Sequence, residues 1–189
     1  LRTAYNQQVA RSLRFRASNS AYLIRTPAST SNRKTFTFSA WIKRSGLGAN
    51  PYWIFDCWQD ASNYTTVYFS NTSADCLGVI HFSGGTIKLS KITTQVFRDP
   101  SAWYHIVVNI DTSVASPTCN IYVNGTQVTS FGTNTNTLVQ NDLLFVNYTS
   151  APNNLGRYGG AANYFDGYMS EVYFIDGDRK STRLNSSHM

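Results

Sequence analysis

The segment 103–111, which reads Trp-Tyr-His-Ile-Val-Val-Asn-Ile-Asp, constrains the fold more than any other part of the chain. Its side chains alternate between two faces, one with Tyr104, Ile106, Val108 and Ile110 and the other with Trp103, His105, Val107 and Asn109. Alternation with apolar residues on both faces predicts a β-strand that is covered on both sides. Asn124-Gly125 follows shortly afterwards and predicts a tight hairpin turn, because both residues adopt positive φ at low cost. A strand followed by a hairpin indicates an antiparallel β architecture.

Short apolar segments of the same kind recur along the chain, separated by turn residues such as Thr26-Pro27 and Gly84-Gly85. The cleanest is 35–43, where Phe36, Phe38, Ala40 and Ile42 face one way and polar residues alternate with them. The predicted strands are 12–16, 21–25, 35–43, 52–58, 65–69, 76–82, 86–89, 103–111, 120–124, 127–130, 143–147 and 168–175. With no convincing helical segment, this pattern predicts an all-β fold, a two-sheet antiparallel β-sandwich of the jelly-roll type.

Length and composition fit one such domain. The chain has 189 residues, of which 42% are hydrophobic and 14% are charged, so core material is plentiful. We expect a linker remnant at 1–11, a single jelly-roll domain at 12–178, and a non-native or disordered tail at 179–189, which lacks any periodicity. No apolar stretch is long enough to span a membrane, so we expect no membrane insertion.

The net charge of +6 is compatible with anionic partners, but the basic residues are scattered and are better explained as a soluble surface. No nucleic-acid-binding signature is present, so we expect no nucleic-acid partner. The three cysteines, Cys57, Cys76 and Cys119, are an odd set. Cys57 and Cys76 could pair if their strands were neighbours, but we favour three reduced, buried side chains.

The sequence offers little for catalysis. Glycoside hydrolysis generally needs two carboxylates facing the scissile bond. Glu171 is the only glutamate, and its odd separation from Asp176 places the two on opposite faces of a regular strand. His105 and Asp111 suggest a serine-type triad, yet a structural histidine in the middle of a strand is the simpler interpretation. We therefore expect a protein that is not an enzyme.

Two stretches have the composition of a sugar-binding surface, in which aromatic rings stack on the sugar and short polar groups bind its hydroxyls. The first stretch contains Trp58, Gln59, Asp60, Asn63 and Tyr64, and the second contains Arg157, Tyr158, Asn163 and Tyr164. The alternative is that these aromatic residues only pack the edges of the sandwich.

Several segments together resemble a known family. They are Phe-Thr-Phe-Ser-Ala-Trp-Ile-Lys-Arg at 36–44, the segment 103–111, Ile-Tyr-Val-Asn-Gly at 121–125, and Phe-Asp-Gly-Tyr-Met-Ser-Glu-Val-Tyr-Phe-Ile-Asp at 165–176. They resemble the laminin-G-like, concanavalin A-like lectin-glucanase jelly-roll domains over about 12–176. The opening segments, 13–16, 26–28 and 31–36, are especially similar to the version found in bacteriophage virion proteins.

The resemblance implies a non-catalytic adhesion module of a phage tail or capsid-associated protein, located at the virion surface, that recognises cell-surface polysaccharide. Two alternatives stay open: a structural decoration that contacts other virion proteins, with homo-oligomers possible, and a secreted, extracellular glycan-binding domain. The family also makes calcium possible, although no cofactor is required. The candidate calcium ligands are Asp56, Asp60, Asp142 and Asp166.

Overall fold

The computed structural model describes residues 11–48, 50–70, 75–160 and 163–177. Thirteen strands are present in this part of the chain: β1 Leu13–Phe15, β2 Leu23–Arg25, β3 Thr35–Arg44, β4 Tyr52–Asp60, β5 Asn63–Phe69, β6 Cys76–Ser83, β7 Thr86–Val96, β8 Tyr104–Asp111, β9 Thr118–Val123, β10 Thr126–Gln127, β11 Phe131–Asn136, β12 Asn153–Leu155 and β13 Gly167–Asp176. A single 3₁₀ turn, Ala17–Asn19, is the only helical element among the described residues.

The strands form two antiparallel sheets. One sheet has six strands in the order β1-β13-β3-β8-β9-β10, and the other has seven in the order β11-β7-β6-β5-β4-β12-β2. This arrangement confirms the predicted two-sheet antiparallel β-sandwich. No helix in the described residues is long and apolar enough to cross a membrane.

The core lies between the inner faces of the two sheets. Phe36, Phe38, Ala40 and Ile42 of β3 are fully buried, as the alternation at 35–43 predicted. The Phe38 ring stacks on Phe55 of β4 with a centroid distance of 4.9 Å and so connects the two sheets. Burial of each such side chain stabilises the fold by roughly 1.5–3 kcal/mol.

The central strand β8 is covered on both faces, as its sequence predicted. Ile106, Val108 and Ile110 face the core, and His105, Val107 and Asn109 on the other face are also buried. The polar outer residues bond to the neighbouring strand β3, because His105 Nε2 lies 3.0 Å from Ser39 Oγ and Asn109 Nδ2 donates to Thr37 Oγ1 at 3.1 Å.

Two predicted strands are wrong, and two strands were not predicted. At 127–130, only Gln127 is in a strand, β10. The segment 143–147 is an irregular connection in which the Leu144 amide donates to Arg33 O and the Phe145 amide donates to Thr65 Oγ1. Its residues 144–146 are buried in the core without joining a sheet, and Leu143 is exposed. The strands β11 and β12 have mainly polar sequences, which carry no alternation of apolar residues to predict them.

A bulge divides β13. Ser170 lies opposite Trp41 and Tyr173 lies opposite Ser39, so the two residues between them face a single residue of β3. Glu171 in this bulge has a left-handed backbone with φ of 48°. The prediction that Glu171 and Asp176 lie on opposite faces assumed a regular strand. The strand is not regular, because the extra residue of the bulge shifts the alternation of faces between these two positions.

A buried ion pair connects the sheets at one end. Arg44, at the end of β3, is fully buried, and its Nη2 lies 2.7 Å from Asp75 Oδ1, next to the start of β6. Arg44 Nη1 also donates to Phe97 O at 2.6 Å, and Arg98 Nε lies 3.1 Å from Asp75 Oδ2. Burial alone would raise the pKa of Asp75, but hydrogen bonds from Gly48, Arg44 and Arg98 outweigh it and leave the pKa below its usual value.

All three cysteines are buried and none of them forms a disulfide, as favoured from the sequence. Cys57 lies on β4 and Cys76 on β6, with β5 between them, so their strands are not neighbours. Of the predicted linker 1–11, only Arg11 lies within the described residues, and the predicted tail 179–189 lies outside them.

Candidate functional site

The hairpin formed by β4 and β5 places Trp58 and Tyr64 side by side on the outer face of the seven-stranded sheet. The two residues are directly paired across the strands, as are Asp56 and Thr66 next to them. The intervening pair, Cys57 and Thr65, points to the core. The period-2 alternation of each strand therefore sets Trp58 and Tyr64 on the surface that faces away from the core.

Tyr158 comes from a distant part of the chain and lies between these rings. Its centroid is 6.2 Å from that of Trp58, 5.8 Å from that of Tyr64 and 4.5 Å from that of Trp53. The structure thus brings together the aromatic residues of the two stretches that the sequence singled out.

A wider group of rings surrounds Tyr158 on this face. Trp53 and Tyr68 are 8% and 7% exposed and stack on each other at 5.0 Å, so they form the base of the group. The aromatic platform, as we call the four half-buried rings above them, consists of Trp58, Tyr64, Phe82 and Tyr158. Phe82 joins it through a contact of 5.4 Å with Tyr64.

The covering loop, residues 156–160, carries Tyr158 onto the sheet. The Gly159 amide donates to Asp56 Oδ2 at 2.8 Å, which fixes the loop over the middle of β4. Gly159 lies so close to Trp58 that an added Cβ would be 2.2 Å from Trp58 Cβ. Only glycine allows this approach, and the covering loop therefore explains why Asp56 and Thr66 are buried although they point away from the core.

Asp56 is a buried carboxyl group whose pKa differs from its ordinary value. Burial raises the pKa of its carboxyl to about 7, while hydrogen bonds from Gly159 and Thr66 and the charge of Arg157 act in the opposite direction. The pKa of Tyr64 is raised to about 12, first by burial and then by the neighbouring Tyr158. Burial also raises the pKa of Tyr158, so both phenols keep their protons at neutral pH.

The polar residues of the first predicted stretch mainly shape its turn. Asn63 Nδ2 donates to both Asp60 oxygens at 2.9 and 3.0 Å, and the Ser62 amide donates to Asp60 Oδ1 at 2.8 Å. Asn63 Oδ1 in turn accepts from the Gly84 amide at 3.0 Å. Gln59 is half-buried beside Trp58 at the end of β4.

The second predicted stretch also forms a smaller cluster next to the platform. The Arg157 guanidinium lies 3.7 Å from the centre of the Tyr22 ring, and Arg157 Nε donates to Asn154 Oδ1 at 3.0 Å. Tyr164 forms a β-bridge with Arg157 and contacts Tyr22 at 6.3 Å. Asn163 is exposed and has a left-handed backbone with φ of 62°.

The four aspartates considered for calcium lie in different surroundings. The Asp60 oxygens are occupied by Asn63 and Ser62, Asp142 Oδ2 accepts from the Val139 amide at 2.8 Å, and Asp166 lies next to the other sheet, at the start of β13. Asp56 is buried below the covering loop, whereas calcium takes six to eight oxygen ligands. Within the described ranges, no three side chains of the His, Cys, Asp and Glu types come together.

The residues considered for catalysis also lie in separate places. His105 contacts Ser39, whereas Asp111 Oδ1 accepts from the amide and hydroxyl of Ser113 at 2.8 and 2.6 Å. Glu171 is exposed on β13 of the six-stranded sheet, and the aromatic platform lies on the seven-stranded sheet.

Sequence reasoning missed four contributors to this site: Trp53, Tyr68, Phe82 and Asp56 in its role below the loop. Tyr64 and Tyr68 are spaced for one face of a strand, and this signal was available in the sequence. The position of Asp56 under the covering loop depends on a contact between residues far apart in the chain, which no local pattern reveals.

Comparison with known proteins identifies the fold. The laminin G family described as the concanavalin A-like lectin/glucanases superfamily matches residues 17–183. No curated protein matches the chain.

Solved structures with this fold are distant in sequence. The binding domain of botulinum neurotoxin DC, solved in complex with rat synaptotagmin II, has a TM-score of 0.55 at 13% identity, over 87% of this chain and 39% of that one. Mouse laminin α1 chain domains LG4-5 have a TM-score of 0.53 at 9% identity, over 81% of this chain and 38% of that one. A third structure is domain 4 of AbnA, an extracellular GH43 arabinanase from Geobacillus stearothermophilus, solved in complex with arabinotriose. Its TM-score is 0.51 at 17% identity, over 79% of this chain and 63% of that one. The chain thus spans less than two thirds of each of these structures.

Proposed function

The chain belongs to the concanavalin A-like lectin/glucanases superfamily, and from this premise we propose that it is a non-catalytic module that binds cell-surface glycans through the aromatic platform. The observation that carries the proposal is the convergence of Trp58, Tyr64 and Tyr158 on one solvent-facing surface of a rigid sheet.

Half-buried rings of this kind suit the apolar faces of sugars. Each ring is held by its neighbours, so stacking a sugar on it costs little side-chain entropy. Two half-buried polar residues adjoin platform residues in the chain, Gln59 after Trp58 and Arg157 before Tyr158. The arabinanase domain that shares the fold was solved with arabinotriose, which supports a saccharide as the ligand class.

Binding without turnover is supported by the carboxylates near the platform. Hydrolysis requires two of them at the scissile bond, one as acid and one as base or nucleophile. Of the two aspartates on β4, Asp56 is buried under the covering loop and Asp60 is held by Asn63 and Ser62. Neither is free to serve as the second catalytic group.

A glycan array tests the proposal. We expect wild-type protein to bind a defined set of glycans and Trp58→Ala to lose roughly fivefold or more in affinity, since one stacking contact is worth about 1 kcal/mol or more. Trp41→Ala is the matched control, because Trp41 is also a half-buried tryptophan but lies on the six-stranded sheet against His105. We expect this variant to bind as wild type does.

Thermal unfolding of both variants separates lost binding from lost folding. If folded wild-type protein bound no glycan, or if Trp58→Ala bound as well as wild type, the platform would not be the glycan site. The alternative of a structural domain that contacts other virion proteins would then be favoured.

We further propose that the module lies at the surface of a phage virion, in a tail or capsid-associated protein. The similarity of the segments 13–16, 26–28 and 31–36 to the phage version of the domain supports this setting. An antibody against the domain should label intact particles of the phage that encodes it in electron micrographs. Particles that contain no such protein by mass spectrometry would contradict the virion setting without affecting the proposed glycan site.

A further inference from the structure

We infer that Asp56 is a positioning residue that holds the covering loop and Tyr158 on the sheet, and that it makes the platform pH-responsive. The inference rests on the proposed function only where ligand binding is concerned. Its structural part concerns the loop itself and can be measured without a ligand.

Asp56 connects three parts of the chain below the platform. Its Oδ2 accepts from the Gly159 amide at 2.8 Å, and its backbone oxygen accepts from Asn154 Nδ2 at 3.5 Å. Asn154 Oδ1 then accepts from Arg157 Nε at 3.0 Å. The covering loop is thus held at Gly159 directly and at Arg157 through Asn154, on either side of Tyr158.

The carboxyl group itself lies in the sealed space between loop and sheet. Asp56 is fully buried, and its Oδ1 has no hydrogen-bond partner. If the loop lifted, water would reach the carboxylate. Loop closure is therefore coupled to the protonation of this group, because burial favours the neutral acid.

The direction of the coupling follows from proton linkage. The closed loop raises the pKa of Asp56 to about 7, whereas in an open loop it would return towards its ordinary value of 3.8. The closed form thus binds the proton more tightly, and acidification below pH 7 stabilises it. Above pH 7 the closed loop covers an ionised carboxylate, and opening becomes easier.

The other charged or titratable groups around Asp56 do not change charge in this range. From the covering loop they are Arg157 and Tyr158, from β5 Tyr64, and from β4 itself Cys57. Burial raises the pKa of both tyrosines and of the Cys57 thiol, so these three groups stay neutral, and the Arg157 guanidinium stays charged. A pH response between about 6 and 8.5 can therefore be assigned to Asp56.

Hydrogen exchange of the free protein provides the test. After correction for intrinsic exchange, we expect the protection of residues 157–160 in wild type to fall roughly tenfold or more from about pH 6 to about pH 8.5. In Asp56→Asn the protection should stay at the wild-type acid value throughout, since asparagine still accepts from Gly159 and has no proton to lose. Asp56→Ala should lower the protection at every pH.

Asp142→Asn is the matched control. Asp142 also accepts a hydrogen bond from a backbone amide, that of Val139, but it lies in a different loop from residues 156–160. It should leave the pH dependence at 157–160 unchanged. The inference would be overturned by wild-type protection that does not change with pH, or by Asp56→Asn retaining the wild-type response.

The glycan array at about pH 6 and about pH 8.5 extends the test to binding. Wild type should bind more weakly at the higher pH, and Asp56→Asn should bind equally at both. If no glycan binds at either pH while the exchange data behave as expected, the proposed function fails and the role of Asp56 in the loop stands.

Discussion

His81 illustrates how one buried residue connects an irregular segment to the core. Its Nδ1 lies 2.9 Å from Thr65 Oγ1, and the same oxygen accepts from the Phe145 amide at 3.0 Å. Thr65 Oγ1 therefore contacts both the His81 ring and the backbone of the irregular segment. The His81 ring also contacts Phe145 at 5.5 Å, so the histidine helps to hold the connection at 143–147.

Acid should destabilise the domain through this histidine. Burial lowers the pKa of His81 from 6.5 to about 4, so the unfolded chain binds the proton more tightly than the folded one. The stability that His81 contributes is present above pH 6.5 and is lost as the pH falls towards 4, by up to about 3 kcal/mol. We expect the free energy of unfolding of wild type relative to His81→Asn to decrease over this range and to be constant above pH 7. Chemical denaturation at a series of pH values measures it, and parallel profiles for the two proteins would contradict the assignment.

Single residues were predicted from the sequence with uneven success. The burial of Phe36, Phe38 and Ile42 follows from alternation, since every second side chain of a strand meets the core. The convergence of Trp58 with Tyr158 was not predictable in its geometry, although both residues were named as candidates. Their contact is made by the covering loop, whose path depends on Gly159 and Asp56 rather than on any periodic signal.

At the scale of elements, the Arg44–Asp75 pair joins the end of β3 in one sheet to the start of β6 in the other. Arg44 → Met would leave the buried Asp75 carboxylate without its main partner, and we expect a loss of about 3–5 kcal/mol in unfolding free energy. Arg98→Met is the matched control, because Arg98 contacts the same carboxylate but its side chain is 56% exposed. The free energy of unfolding of Arg98→Met should fall by less than about 1 kcal/mol.

Urea denaturation of the two variants distinguishes a buried connection from surface pairing. Equal decreases in unfolding free energy for Arg44→Met and Arg98→Met would show that the burial of Arg44 does not determine how much the ion pair stabilises the fold. The pair was not predicted, because Arg44 ends an alternating strand and carries no sequence sign of its complete burial.

The strands themselves were predictable where apolar residues alternate, as in β3, β8 and β13. The short strand β12 and the edge strand β11 were missed because their sequences are mainly polar and have no alternation of apolar residues. The segment 143–147 was misassigned for the opposite reason. Its residues 144–146 are buried in the core, but its amides bond to the Arg33 carbonyl and the Thr65 side chain rather than to the backbone of a neighbouring strand.

For the whole molecule, the two-sheet sandwich follows from the number and spacing of the alternating segments. The order of strands within each sheet does not, because it depends on pairings between residues as distant as Leu13 and Met169. The same limit applies to the platform, which combines β4 and β5 with a loop that follows them by about ninety residues.

The three cysteines have a consequence for the conditions in which this domain can exist. Each thiol is enclosed by the sandwich, and burial raises the pKa of all three, so the reactive thiolate is scarce. Among the described residues the fold contains no disulfide, and its three thiols are all buried. It is therefore indifferent to the redox potential of its surroundings, and a reducing or an oxidising medium should leave the same architecture intact.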